Sequence, residues 1–272
     1  MIDLDQRVIN LGIVINGQIR WYGGTENPLF IEAKGEAFAS PNMGECQITV
    51  LGLTADVRNY ILRNSQPLRD RSTVVSVILE VGRESYGTHT RYTGDVYRSS
   101  PVGKPDLGVR LMCKTGYANK SKLVTRSAGA VTPLSNICKM VADDCGYQLS
   151  FEVPEKNIKS YSFTGSAQNQ LEQLENIANA EVFVDNDTLH IKEQGKPATG
   201  RSVRAIDVSS GLLAAEQTES GVSVKMLYDP TTTIGSQINL TSVINPAISG
   251  SYVVYKMAYH VANRADPFYL TV

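Results

Sequence analysis

The sequence predicts a β-rich α+β protein in three parts, and three observations carry that reading. Period-two apolar runs dominate both ends of the 272-residue chain, paired helical stripes occur only in its middle, and Gly, Pro and Asn clusters separate the strands. The parts are 1–118, strand-rich with one helix; 119–195, a compact α+β module; and 196–272, strand-rich again. A chain of this length buries roughly 75% of the surface its unfolded form exposes, enough to hold a core without disulfides or metal.

In the first part, strands are expected at Arg7–Ile15, Ile19–Tyr22, Cys46–Leu51, Thr73–Val81 and Val109–Cys113. Asn16-Gly17 between the first two reads as a tight hairpin, because both residues accept positive φ. A helix is expected at Ala55–Arg63, capped by the Thr54 side chain, with Val57, Tyr60 and Ile61 on one face and Asp56, Arg58, Asn59 and Arg63 on the other.

The module opens with Thr132-Pro133, read as an N-cap followed by proline at the first helical position. The stripe Leu134, Ile137, Cys138, Val141, Cys145 runs on until Gly146 stops it. Strands follow at Gln148–Val153 and near Tyr161–Phe163. Gly165-Ser166 opens a second helix with Ala167, Leu171, Leu174, Ile177 and Ala178 on one face, and a hairpin closes the module, Glu181–Val184 turning at Asp185-Asn186-Asp187 into Thr188–Lys192. Helix, strand, strand thus occurs twice, as a weak internal duplication. In the last part, Gly221–Tyr228 and Ser236–Val243 alternate, Gly250–Val261 reads as one long strand, and Phe268–Val272 as a final, docked one.

Charge and motifs narrow the chemistry. Lys plus Arg number 26 against 27 Asp plus Glu, a net −1 with no basic stripe, which argues against tight nucleic-acid binding because that affinity comes mainly from neutralising phosphates. The opening MIDLDQRVIN has neither a basic nor an apolar leader region, no apolar run approaches membrane-spanning length, and the four cysteines are scattered. Synthesis in the cytoplasm, free thiols and no stable membrane association are the expectation. His89, His190 and His260 have no second ligand at metal spacing. Asp185-Asn186-Asp187 lacks the glycine and glutamate of a calcium loop and reads as a plain turn. Cys138 and Cys145 share a helical face and read as packing, and Asp143-Asp144 as a solvated face. No nucleophile elbow or phosphate-cradling loop is present, so an enzyme is disfavoured and no catalytic, metal or cofactor site is assigned.

The order of motifs resembles the baseplate hub proteins of contractile-tailed bacteriophages. The likeness is carried by GEAFASPNMGECQITVLGLTADVRNYIL, by YTGDVYRSSPVGKPDLGVRLMCKTGY at Tyr92–Tyr117, by SAGAVTPLSNICKMVADDCGYQLSF, and by the closing stretch from SGLLAAEQTESGVSVKMLYDP to the last residue. The resemblance implies two tail-tube-like antiparallel β-barrel or sandwich domains with a small α+β domain between them. It further implies a homotrimeric ring joining the hexameric tail tube, or its initiator, to the trimeric central spike in the virion baseplate. The tape measure protein is a further implied partner, and DNA passes through the ring without specific binding. Within that expectation, strand alternation nominates Gln47, Thr49, Ser76, Glu80, Lys225, Gln237, Asn239 and Thr241 as channel-lining residues. The alternatives are a carbohydrate- or peptidoglycan-binding structural module, which should be monomeric with an exposed aromatic platform, and the hub of a related contractile secretion machine.

Overall fold

The computed structural model describes residues 5–25, 29–65, 74–120 and 122–272. The first part supplies β1 (Arg7–Ile15), β2 (Gln18–Gly23), β3 (Phe30–Phe38), β4 (Glu45–Leu51), α1 (Ala55–Asn64), β5 (Ser76–Arg83), β6 (Gly87–Val102) and β7 (Gly108–Lys114). The middle supplies β8 (Leu123–Ser127), β9 (Val131–Pro133), α2 (Leu134–Cys145), β10 (Gln148–Glu152), β11 (Asn157–Lys159), β12 (Ser162–Ser166), α3 (Ala167–Ala178), β13 (Glu181–Asp185) and β14 (Thr188–Lys192). The last part supplies β15 (Val203–Ile206), β16 (Leu212–Thr218), β17 (Gly221–Leu227), β18 (Gln237–Leu240), β19 (Gly250–Val253), β20 (Lys256–Ala262) and β21 (Phe268–Thr271).

The protein is mostly β, and the strands of its two ends meet. An 11-stranded sheet runs β16-β17-β21-β20-β3-β4-β7-β6-β5-β1-β2, antiparallel throughout, with β20 paired to β3 as the seam between first and last parts. β6 is the corner. Its first half pairs with β5 and its second half with β7, with ladder shifts at Leu79/Glu80 and at Val96/Arg98. Such irregularities bend a strand and sharpen its twist. The sheet therefore turns back on itself, and β5-β1-β2 lies across a single core from the other strands. Arg7 of β1 and Arg83 of β5 both stand 5.0 Å over the Phe268 ring of β21. Inside the fold are Ile9, Leu11, Ile48, Leu79, Leu111, Val261 and Leu270, all fully buried.

α1 closes this core through Val57 and Ile61, with Tyr60 partly buried beside them. Thr54 occupies the N-cap position, but its side chain makes no capping bond; its carbonyl accepts from Arg58 N at 3.0 Å. A three-stranded sheet, β15-β18-β19, adds Ile206, Ile238 and Leu240 to the same core. The single strand expected at Gly250–Val261 is two: β19 belongs to the small sheet and β20 to the large one, with Val254 and Tyr255 as the crossover. The Thr73 end of the strand expected at Thr73–Val81 lies outside the described residues.

The middle part has its own core, built from Leu134, Ile137, Cys138, Val141, Leu171, Leu174, Val182 and Leu189. Pro133 is the N-cap of α2 and not its first residue, because Thr132 and Pro133 are held in β9 opposite β11. Glu155 supplies the cap instead, its Oε1 accepting from Ser135 N at 3.1 Å. Ser166 caps α3 as its sequence position implies, accepting from Asn169 N at 3.2 Å. The expected duplication is unequal. β13 and β14 form a hairpin, with Asn186 at φ 53°, whereas β10 joins that hairpin in parallel with β14 and β12 pairs elsewhere, with β8. Asp144 is not solvated: it is buried and takes a bidentate bond from Arg126, 2.9 Å from Nε to either oxygen.

Candidate functional site

The eight strands from β16 to β6 form one wall whose inner face is the core and whose opposite face is polar. Its chemistry begins in β3, where Glu32, Lys34 and Glu36 alternate with Ala33, Gly35 and Ala37. Period-two alternation sends the charged set to one side. Gly35 is required on the other, since a Cβ there would stand 2.3 Å from the Tyr259 ring. The ladders then align the outward-facing residues, most of them polar, across the wall. Thr271, Ala258, Glu36, Glu45 and Lys114 make one row; Tyr269, His260, Lys34, Gln47, Met112 and Arg98 make the next.

Most of the charge on this face is paired within it. Lys114 Nζ lies 2.6 Å from Glu45, Lys256 Nζ 3.1 Å from Glu36, and Lys34 Nζ 3.3 Å from Glu32. His260 joins Glu32 at 2.7 Å through Nε2 and Tyr269 Oη at 3.3 Å through Nδ1. Burial works to raise the Glu32 pKa, but the hydrogen bonds from His260 and Lys34 outweigh it and hold the carboxyl below its usual range. The hydrogen bond to Glu45 raises the Lys114 pKa. Lys225 Nζ sits 3.9 Å above the Tyr269 ring. At one end of the face α3 overhangs it, held by Gln168 Nε2 donating to Pro41 O at 2.7 Å. The groove so formed has a volume of about 980 Å³ and is lined by Lys34, Gln47, Lys114, Tyr269, Gln168 and Glu172, among others.

The eight residues nominated from sequence fall into three places. Gln47, Thr49 and Lys225 lie on the polar face of the wall; Thr49, set between Glu32 and Arg110 in the ladder, is nearly covered. Ser76 and Glu80 are on β5, in the layer across the core. There Ser76 donates to Asp95 at 2.7 Å, and Glu80 accepts from Asn10 at 3.0 Å and Thr88 at 3.2 Å. Gln237 and Asn239 are on β18 of the small sheet, bonded to each other at 3.2 Å, and Thr241 follows that strand. Sequence reasoning passed over Glu32, Lys34, Glu36, Glu45, Lys114 and His260, although the charges at every second position of β3 were a legible signal.

The cysteines are packing residues. All four are buried, and burial pushes Cys46 and Cys138 up to about 12 and Cys145 to about 11. Thiols so far above neutral pH carry little nucleophilic thiolate. Among the described residues no group of three or more metal-ligating side chains occurs, and no helix is long and apolar enough to cross a membrane.

The fold is shared with solved tail proteins. The 43 kDa tail protein of prophage MuSo2 from Shewanella oneidensis superposes with a TM-score of 0.63 at 10% identity, over 97% of this chain and 96% of that one. A tail protein from Neisseria meningitidis MC58 gives 0.64 at 7% identity, over 97% and 95%. The E. coli c3393 protein, a component of the type VI secretion system described as structurally similar to T4 bacteriophage tail proteins gp27 and gp5, gives 0.58 at 8% identity, over 91% and 74%. No curated protein sequence matches. The sequence itself matches the family model for baseplate hub gp41 over residues 8–272, and the chain therefore belongs to the baseplate hub gp41 family.

Proposed function

We propose that three copies of this chain close into a ring that joins the hexameric tail tube to the trimeric spike of a contractile tail, and that the polar face of the eight-stranded wall lines the DNA channel. The observation that carries the reading is the wall itself. Four strands from the first part (β3, β4, β7, β6) and four from the last (β16, β17, β21, β20) stand edge to edge in one chain. Each chain thus offers two tube-like units, so three chains match a sixfold tube above while keeping threefold symmetry below.

The electrostatics of the face support the same role. Duplex DNA is gripped when lysines and arginines replace its counterions. Here Lys34, Lys114 and Lys256 already have carboxylate partners, which leaves few cations to hold a passing phosphate backbone. Of the eight nominated residues, Gln47, Thr49 and Lys225 belong to this channel surface. The tape measure protein is a transient occupant of the same channel. The chain is made in the host cytoplasm, where its four thiols stay reduced, and acts in the virion as a structural subunit without cofactor.

Image averaging of assembled baseplates tests the proposal. Three copies around the axis between tube and spike are expected; six copies, or a peripheral position, would refute it.

A further inference from the structure

Among the described residues the wall ends in two unpaired edges. On one side, among the described residues, β6 from Arg98 to Val102 pairs with β7 only, its pairing with β5 having ended at Asp95. On the other, β16 pairs among the described residues with β17 only. Open edges of this length expose backbone N–H and C=O groups that solicit another strand. Because the wall has eight strands and every neighbour is antiparallel, its two edge strands run in opposite directions. A second copy placed beside the first therefore meets β16 with an antiparallel β6, and the alternation continues around a closed ring without a parallel defect.

The side chains on the two edges are complementary. Arg98 on β6 shares the polar face with Gln47, and Glu216 on β16 shares it with Lys225 through Ser223 and Ala214. Both are exposed, and among the described residues neither forms an ion pair within its own chain. Setting Arg98 opposite Glu216 fixes an antiparallel register with Ser99 opposite Ala215, Ser100 opposite Ala214 and Pro101 opposite Leu213. Proline has no N–H to give to a ladder. In this register it falls against Leu213, which the ladder between β16 and β17 already skips as a bulge, and which is 51% exposed. The residue that cannot pair meets the residue that is out of register.

We infer that the ring closes by pairing β6 of one copy with β16 of the next in this register, locked by an Arg98–Glu216 ion pair at each junction. The inference rests on the three-copy ring proposed above. Like charges facing one another across a strand pair disfavour it, and opposite charges favour it, so the pair selects one register among those differing by two residues.

Disulfide trapping in assembled baseplates tests the register. The native cysteines are all buried, so R98C combined with E216C introduces the exposed thiols. Mild oxidation is expected to convert the chain into covalent trimers on a non-reducing gel, whereas S100C combined with E216C, offset by two residues, should give several-fold less. Charge reversal is the second measurement. R98E should reduce ring incorporation several-fold, and adding E216R should restore it. Baseplates that show three copies but cross-link equally or better through the offset pair, or that tolerate R98E unchanged, would overturn this junction while leaving the trimeric ring intact. Six copies or a peripheral position would remove the ring and the junction together.

Discussion

Replacing Arg91 by alanine should cost about 3–5 kcal/mol, because its guanidinium fastens the corner strand of the first part to the last part. Arg91 lies in the ladder shift between β5 and β6, which frees it from the regular alternation and turns it inward, where it is almost fully buried. It donates to Tyr228 Oη at 3.1 Å, Thr232 O at 3.1 Å and Pro230 O at 2.9 Å, with weaker contacts to Asp229 O at 3.4 Å and Met257 Sδ at 3.1 Å. A charge-assisted bond contributes about 1.5–3 kcal/mol net, and each carbonyl left buried and unpaired costs about 1–3 kcal/mol, so two or three such losses reach the stated figure even after water enters the gap. Lysine keeps the charge but not the planar fork that reaches several carbonyls at once, and R91K should fall between wild type and R91A. Trp21, the single tryptophan of the chain, lies on β2 of the same sheet and reports its unfolding by fluorescence in a denaturant titration. A loss below about 1 kcal/mol for R91A, within the range of ordinary surface changes, would refute this account of how the two ends are joined.

Truncating Ile61, fully buried on α1, should cost about 2–5 kcal/mol, whereas Arg58→Ala on the same helix should cost under about 0.5; equal losses in denaturant would show that the helix is packed otherwise. Gly35→Ala should destabilise by about 1–3 kcal/mol, since the added methyl meets the buried Tyr259 ring at 2.3 Å, and an unchanged unfolding midpoint would show that the ring can yield. Burial works to raise the Asp229 pKa, but the hydrogen bonds from Thr232 and Thr231 and the charge of Arg204 outweigh it and leave the folded-state value below the unfolded one. Its contribution is therefore present above the unfolded pKa of about 3.9 and is lost as pH falls through the lower folded value. Asp229→Asn should be less stable at neutral pH, with the gap to wild type narrowing on acidification; a gap that stays constant in unfolding titrations from pH 7 to about pH 3 would count against it.

The parts of this fold that sequence could reveal are those whose determinants are local. β1 is found with both ends correct because its apolar residues stop at Asn16-Gly17, a turn both residues favour. β3 escapes notice because beyond Ile31 its inward residues are Ala33, Gly35 and Ala37, too small to register as apolar, and β6 because two ladder shifts reverse its in-and-out pattern within 16 residues. The hydrophobic run through Val253 and Val254 conceals a change of sheet, since periodicity does not say which neighbour a strand will choose. The same limit governs the candidate surface. Alternation correctly separates Gln47, Glu80 and Asn239 from their apolar neighbours, but their assignment to three different surfaces depends on long-range pairing. Apart from Lys34 and Glu32, both on β3, the pairs that neutralise the wall join residues from different strands and are legible only in three dimensions.

The seam between β3 and β20 has a consequence for the order in which the molecule is made. Glu32 and His260, bonded across it, are 228 positions apart in sequence. On the ribosome, β3 and β4 emerge long before β20, so the β3 edge must wait through the synthesis of the entire middle part. Contacts of such separation make folding slow and leave strand edges open to misassociation. Charges at every second position, as in Glu32, Lys34 and Glu36, disfavour pairing of such a waiting edge with the wrong chain until its own last strands arrive.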